Sequence, residues 1–137
     1  MSERTKTVEK LDRVYSEYVR LSHADDSGCI RCWTCGLTVN DYKLLQAGHF
    51  QSRVKYNTRW HYKEIEGKIV TLNCKPQCPK CNLQNGGQQW MFGKRLDEVY
   101  GEGTAMSIIQ EGMQMRKFTT EELKELIDFF KELKRTL

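Results

Sequence analysis

Two short stretches decide how this chain reads: Cys32-Trp33-Thr34-Cys35-Gly36 and Cys78-Pro79-Lys80-Cys81-Asn82. Each contains a Cys-x-x-Cys pair, and 42 residues separate Cys35 from Cys78. A tight turn lets each pair present two thiolates, and two such turns close a tetrahedron around one ion. Four soft thiolates with no open position describe structural zinc rather than catalytic zinc. The expected ligands are Cys32, Cys35, Cys78 and Cys81. Cys29, three residues before Cys32, offers an alternative first pair, but the glycine after Cys35 suits the turn of a metal knuckle and favours Cys32 with Cys35. Cys29 and Cys74 are then expected to be small buried residues.

Helical periodicity flanks these stretches. Val8, Leu11, Val14, Tyr15, Tyr18, Val19 and Leu21 recur at steps of three and four, which predicts an amphipathic helix ending in the polar run 22–28. Between the cysteine pairs, Lys68-Ile69-Val70-Thr71-Leu72 follows the turn signal Glu66-Gly67, so residues 56–72 read as a two-stranded excursion. Beyond Cys81, helices are expected over 91–100 and 104–112. The last helix is the clearest: Thr119 and Glu122 form a capping-box pattern, and Leu123, Leu126, Ile127, Phe130 and Leu133 line one face. That face is expected either to close the domain or to form a two-fold homodimer contact.

The chain of 137 residues, 39% hydrophobic and 29% charged, has room for one ordinary domain. The expected fold is α+β. A helix in residues 1–28 packs on a zinc-bound core at 29–93, and a helical extension fills 94–137. No apolar run is long enough to span a membrane, and none follows the N-terminus as a secretion signal does. The cytoplasm of a host cell is the expected location.

The net charge of +4 is unevenly spread. Residues 43–81 carry Lys43, Arg53, Lys55, Arg59, Lys63, Lys68, Lys75 and Lys80 against only Glu64 and Glu66, whereas both ends of the chain are slightly acidic. A basic middle between such ends is the footprint of a protein that binds a phosphate backbone. Arg53, Lys55, Arg59, Lys75 and Lys80 are the expected DNA contacts, while Trp60, Tyr62 and Trp90 serve either packing or base stacking.

Within this basic segment lies Gln46-Ala47-Gly48-His49-Phe50-Gln51-Ser52-Arg53. Phosphodiester hydrolysis needs a base near neutral pH and a hard divalent ion, Mg²⁺ or Mn²⁺, on the scissile phosphate. His49 suits the first task. Asn82, fixed beside a zinc thiolate, supplies an oxygen for the second, with Asn85 expected on the same side one turn later. His23 reads as incidental.

These residues resemble the HNH, or ββα-metal, nucleases, and more closely the phage NinG (Rap) recombination endonucleases. The likeness is carried by Cys32–Gly36, Ala47-Gly48-His49-Phe50 with Ser52-Arg53, Arg59-Trp60, Asn73–Cys78, and Cys81-Asn82 with Gly86-Gly87, over roughly residues 10–112. It implies a ββα-metal core and a metal-dependent DNA endonuclease active in recombination, with branched or Holliday-like DNA preferred by some relatives. It further implies that His49 is the general base, that Asn73 holds the loop carrying the base, and that Asn82 is the metal ligand on the helix. The chain departs from the pattern at three positions. Gly48 stands where many HNH nucleases have aspartate, Gln46 where NinG-like sequences often have aspartate, and Lys75 where a histidine often lies. Asp41 is the available substitute carboxylate. A non-catalytic zinc knuckle that binds DNA or protein is the alternative class.

Overall fold

The N-terminal apolar stripe belongs to a long helix, α1 (Glu3–Ser22), whose first turn is capped by the Ser2 hydroxyl accepting from the Thr5 N–H at 3.1 Å. The computed structural model describes all residues from Met1 to Leu137. After α1, the strands β1 (Ile30–Arg31) and β2 (Thr38–Val39) pair antiparallel around the first cysteine pair. A 3₁₀ turn at Tyr42–Leu44 leads into β3 (Gln46–His49), which pairs antiparallel with β6 (Cys74–Gln77), placing Gln46 opposite Gln77 and His49 opposite Cys74. Between them lie the single-turn helix α2 (Tyr56–Arg59) and the hairpin of β4 (Lys63–Ile65) and β5 (Lys68–Val70). The excursion at 56–72 therefore opens with a helical turn rather than a strand. Glu66 and Gly67 both have positive φ, +52° and +79°, the pattern of a type I′ turn.

From β6 the chain passes through a wide π-type turn, Lys80–Gln84, into α3 (Gln89–Tyr100), α4 (Thr104–Met113) and α5 (Thr120–Arg135). The expected core boundary after residue 93 falls inside α3. The capping box is present: the Thr119 hydroxyl accepts from the Glu122 N–H at 3.1 Å, and the Glu122 carboxylate accepts from the Thr119 N–H at 3.0 Å.

Three apolar clusters hold these elements. The largest joins Leu11, Val14, Tyr15, Tyr18 and Val19 of α1 to Leu123, Ile127 and Phe130 of α5, with Trp60, Cys74 and Phe118 at its edge. The α5 stripe thus closes the domain against α1, the first of its two expected uses. A second cluster packs Trp33, Phe50 and Leu72 against Phe92, Leu96 and Ile108 of α3 and α4. The third is small, with Ile30 and Leu45 around Cys32, Cys78 and Cys81. Its apolar surface is small for holding a knuckle, and three of the four paired cysteines lie inside it. No helix is long and apolar enough to cross a membrane.

Candidate metal centre and catalytic cleft

The sulfurs of Cys32, Cys35, Cys78 and Cys81 all lie within 4.8 Å of one another. Cys35 Sγ and Cys78 Sγ are 3.7 Å apart. A tetrahedral zinc with bonds of about 2.3 Å needs sulfur separations of about 3.8 Å, so the cluster has the size and chemistry of a structural zinc site. The two knuckles match in backbone geometry. The Gly36 N–H donates to the Cys32 carbonyl at 3.1 Å, and the Asn82 N–H donates to the Cys78 carbonyl at 2.9 Å. Gly36 adopts φ +82°, which explains a glycine after the second thiolate of the first pair. Burial acts to raise the Cys32 thiol, yet the backbone N–H groups of Cys35, Cys78 and Thr34 outweigh it and bring the group down to about 6. Such a sulfur is readily a thiolate at neutral pH, as metal binding requires. Cys74 is buried as expected, whereas Cys29 is only half-buried.

The four-cysteine knuckle is continuous with β6, so the strand facing His49 and the turn carrying Asn82 are fastened to the same four sulfurs. His49 and Asn82 open into one cleft of about 390 Å³, lined also by Asp12, Arg53, Gly86, Gly87 and Gln89. His49 Nε2 lies 2.9 Å from the Arg59 carbonyl, which can only accept, so Nε2 carries the proton. Nδ1 carries the lone pair and accepts a long hydrogen bond, 3.8 Å, from the buried Cys74 Sγ–H. Burial pushes His49 down to about 4, against the opposing pull of the Arg59 carbonyl. The ring is therefore neutral at physiological pH.

Asn73 is fully buried. Its Oδ1 accepts from the Gln51 N–H at 2.8 Å, and its Nδ2 donates to the Thr58 and Gln51 carbonyls at 2.9 and 3.2 Å. It ties the segment after His49 to β6. Asn82 Nδ2 donates to Gln46 Oε1 at 2.9 Å, which leaves Asn82 Oδ1 for the cleft. Asn85 is exposed at the end of the π-type turn and does not line that cleft, because the wider winding carries it past the position one α-helical turn would give.

The basic residues divide. Arg53 lines the cleft with 60% of its side chain exposed, Lys80 is exposed, and Lys55 is half-buried. Arg59 does not fit the expectation of a free phosphate contact. Its side chain is 13% exposed, and it forms a two-pronged pair with Asp12 (Nε–Oδ1 3.1 Å, Nη2–Oδ2 2.6 Å). Lys75 departs further, being fully buried. Its Nζ donates to His23 Nε2 at 3.0 Å and to the Tyr100 hydroxyl, and it lies 4.7 and 4.6 Å from the Trp33 and Tyr100 ring centres. It is a core cation, out of reach of DNA, and it makes His23 a structural partner rather than an incidental residue. Trp60 is buried, while Trp90 is 73% exposed with Lys94 Nζ 5.1 Å from its ring. Asp41 caps the 3₁₀ turn, accepting from the Lys43 N–H at 3.0 Å, and does not line the cleft.

Sequence reasoning missed Asp12, the one carboxylate of the cleft, and Gln77. The signal for Asp12 was its place on α1 beside Leu11 and Tyr15, at the border of the buried stripe.

The protein-family model described as "Bacteriophage Lambda NinG protein" matches residues 1–137. The chain belongs to the NinG family. No curated protein and no solved structure matches it. The NinG match takes in both terminal helices, so α1 and α5 are part of the family's unit as well as the cysteine-rich centre.

Proposed function

We propose that this NinG-family chain is a metal-dependent DNA endonuclease of the HNH type, acting in phage recombination on branched DNA. The observation that carries the reading is the shared cleft of His49 and Asn82, with His49 held as the tautomer that leaves Nδ1 unprotonated. The β3–β6 pair followed by the turn bearing Asn82 supplies a strand–strand–helix order consistent with a ββα-metal core.

In this reading His49 Nδ1 takes a proton from water, and the resulting hydroxide attacks phosphorus as the P–O bond to the leaving oxygen breaks. A ring that titrates near 4 is always in its basic form at neutral pH. A DNA phosphate in the cleft brings negative charge near the imidazole and strengthens it as a base. Asn73 keeps the base-bearing loop in place, and Arg53 and Lys80 bind phosphates on either side. The chain's own donors to a divalent ion are neutral amides, chiefly Asn82 Oδ1. Asn82 Oδ1 would hold Mg²⁺ or Mn²⁺ only with phosphate oxygens supplying the remaining ligands. Such an ion supplies charge neutralisation on the phosphate and leaving oxygen.

The test uses zinc-loaded protein with linear duplex, single-stranded, flap and four-way junction DNA, each with Mg²⁺ or Mn²⁺. The wild type is expected to cut, with the junction favoured. His49→Ala is expected to lower the rate by about 10²–10⁴-fold while zinc content and DNA affinity persist. Cutting by His49→Ala at the wild-type rate overturns the role of the base. Binding without any cutting by the wild type favours a zinc-knuckle binding module instead.

A further inference from the structure

We infer that Asp12, on a helix outside the segment bearing the zinc ligands and His49, is the positioning residue that holds the His49 imidazole in its working tautomer and orientation. The inference rests on the nuclease reading above. The His49 Nε2–H has one acceptor, the carbonyl of Arg59. That carbonyl belongs to the peptide group joining Arg59 to Trp60, and Asp12 grips the side chains on both sides of it. Oδ1 accepts from Arg59 Nε at 3.1 Å and from Trp60 Nε1 at 2.9 Å, and Oδ2 accepts from Arg59 Nη2 at 2.6 Å. One helical turn along α1, the Tyr15 hydroxyl donates to the His61 carbonyl at 2.5 Å, and the Tyr15 ring lies 6.4 Å from the imidazole.

The grip matters because α2 has little hold of its own. It is four residues long with no side-chain cap at its start, so its end is held by contacts from other elements rather than by hydrogen bonding within the turn. Asn73 holds the Thr58 carbonyl and Arg59 Nη1 donates to the Arg53 carbonyl at 3.2 Å, and Asp12 adds from α1 the grip that spans the Arg59–Trp60 peptide itself. Asp12 itself does not contact His49. Its two oxygens are taken up by Arg59, Trp60 and a longer approach of Arg53 at 3.8 Å, which suits an anchor rather than a metal ligand. The groups that face His49 are Asp12 and Tyr15 from α1, Arg53, Arg59, and Cys74 from β6.

The closing experiment compares Asp12→Asn and Asp12→Glu with wild type on the junction substrate. Asp12→Asn keeps the volume and one acceptor oxygen but removes the charge that holds the guanidinium. Its kcat is expected to fall about 10–100-fold, the usual cost of losing an orienting partner. KM for DNA is expected to stay within about two-fold, since phosphate contacts at Arg53 and Lys80 remain. The acid limb of its pH–rate profile should move to lower pH, because Arg53 and Arg59 then face the imidazole without a counter-charge. Asp12→Glu should keep the wild-type limb and recover part of kcat. A merely destabilised fold lowers the active fraction without moving the limb, and that pattern overturns the inference.

Imidazole ¹⁵N NMR provides a reading independent of cleavage, with the His49 signal assigned by its loss in His49→Ala. Wild type is expected as the Nε2–H tautomer, and Asp12→Asn as a mixture with a lower titration midpoint. An unchanged tautomer and midpoint in Asp12→Asn overturns the inference even if every variant cuts. The NMR change in a protein that never cuts upholds the positioning role and removes the nuclease reading.

Discussion

Lys75 shows how a correct local pattern can point the wrong way. It lies in a basic run and follows Asn73 by two residues, so its charge reads as a phosphate contact. All four residues of β6 are buried, because the strand is covered on both faces rather than one. Alternation of exposure, which would have given Lys75 to solvent, does not operate there. Asn73 was legible from its place in the motif, whereas Lys75 was not, since what decides its fate is the packing of Trp33 and Tyr100 around it. Burial holds its ammonium down to about 7 with no carboxylate to offset the cost. Between pH 7 and the ordinary lysine value of 10.5 the unfolded chain holds a proton that the folded chain has released. Stability therefore rises with pH across that window and is lost as pH falls toward 7. Lys75→Met lacks this titration. Urea unfolding of both proteins in zinc-containing buffer should show wild type gaining on Lys75→Met by up to about 1.4 kcal/mol per pH unit above neutrality. Parallel stability profiles would show that Lys75 stays protonated throughout.

The strand pair β3–β6 carries the proposed catalytic geometry, and Gly48 sets its spacing. In the sequence this glycine stands out as a departure from the aspartate of many HNH nucleases. A Cβ at residue 48 would fall 1.8 Å from Gln77 Oε1 and 2.6 Å from Gln77 Cδ. Gln77 cannot move aside freely, because it is fully buried and its Nε2 donates to the Gly87 carbonyl at 2.9 Å and to Thr34 Oγ1 at 3.1 Å. The same crowding leaves no room for an aspartate side chain before His49 with Gln77 in this position. Gly48→Ala should thus cost about 1–3 kcal/mol through overpacking and lower the melting temperature, while Gly48→Ala with Gln77→Ala should recover part of the loss. Equal melting temperatures for wild type and Gly48→Ala would mean that β3 and β6 separate more easily than this contact implies. The helices were more legible than the strands. The α5 stripe repeats over four turns and its cap is local, but β1 and β2 are two residues each and exist only because the knuckle turn brings them together.

For the whole molecule, the ends of the chain complete the site. Sequence reading placed α5 in an extension beyond the core, since nothing local says that it meets α1. In the fold, Leu123, Ile127 and Phe130 are buried against α1, and α1 in turn brings Asp12 and Tyr15 to the cleft. Three such side chains contribute on the order of 5–9 kcal/mol, at about 1.5–3 each, which rivals the whole stability of a typical domain, about 5–15 kcal/mol. The four-cysteine cluster depends on a different set of contacts, Ile30 and Leu45 beside the sulfurs, which α5 does not touch. Ending the chain after Phe118 should therefore separate the two supports. Metal analysis is expected to find one zinc still bound per chain. Circular dichroism should show the loss of α1 as well as α5, and cleavage should vanish although all four cysteines, His49 and Asn82 remain. A truncated chain that keeps its α1 helicity and still cuts DNA would mean that the centre holds α1 unaided. Loss of zinc together with the helices would mean that the knuckle and the helical pair fold as one unit, with the metal unable to hold the centre alone.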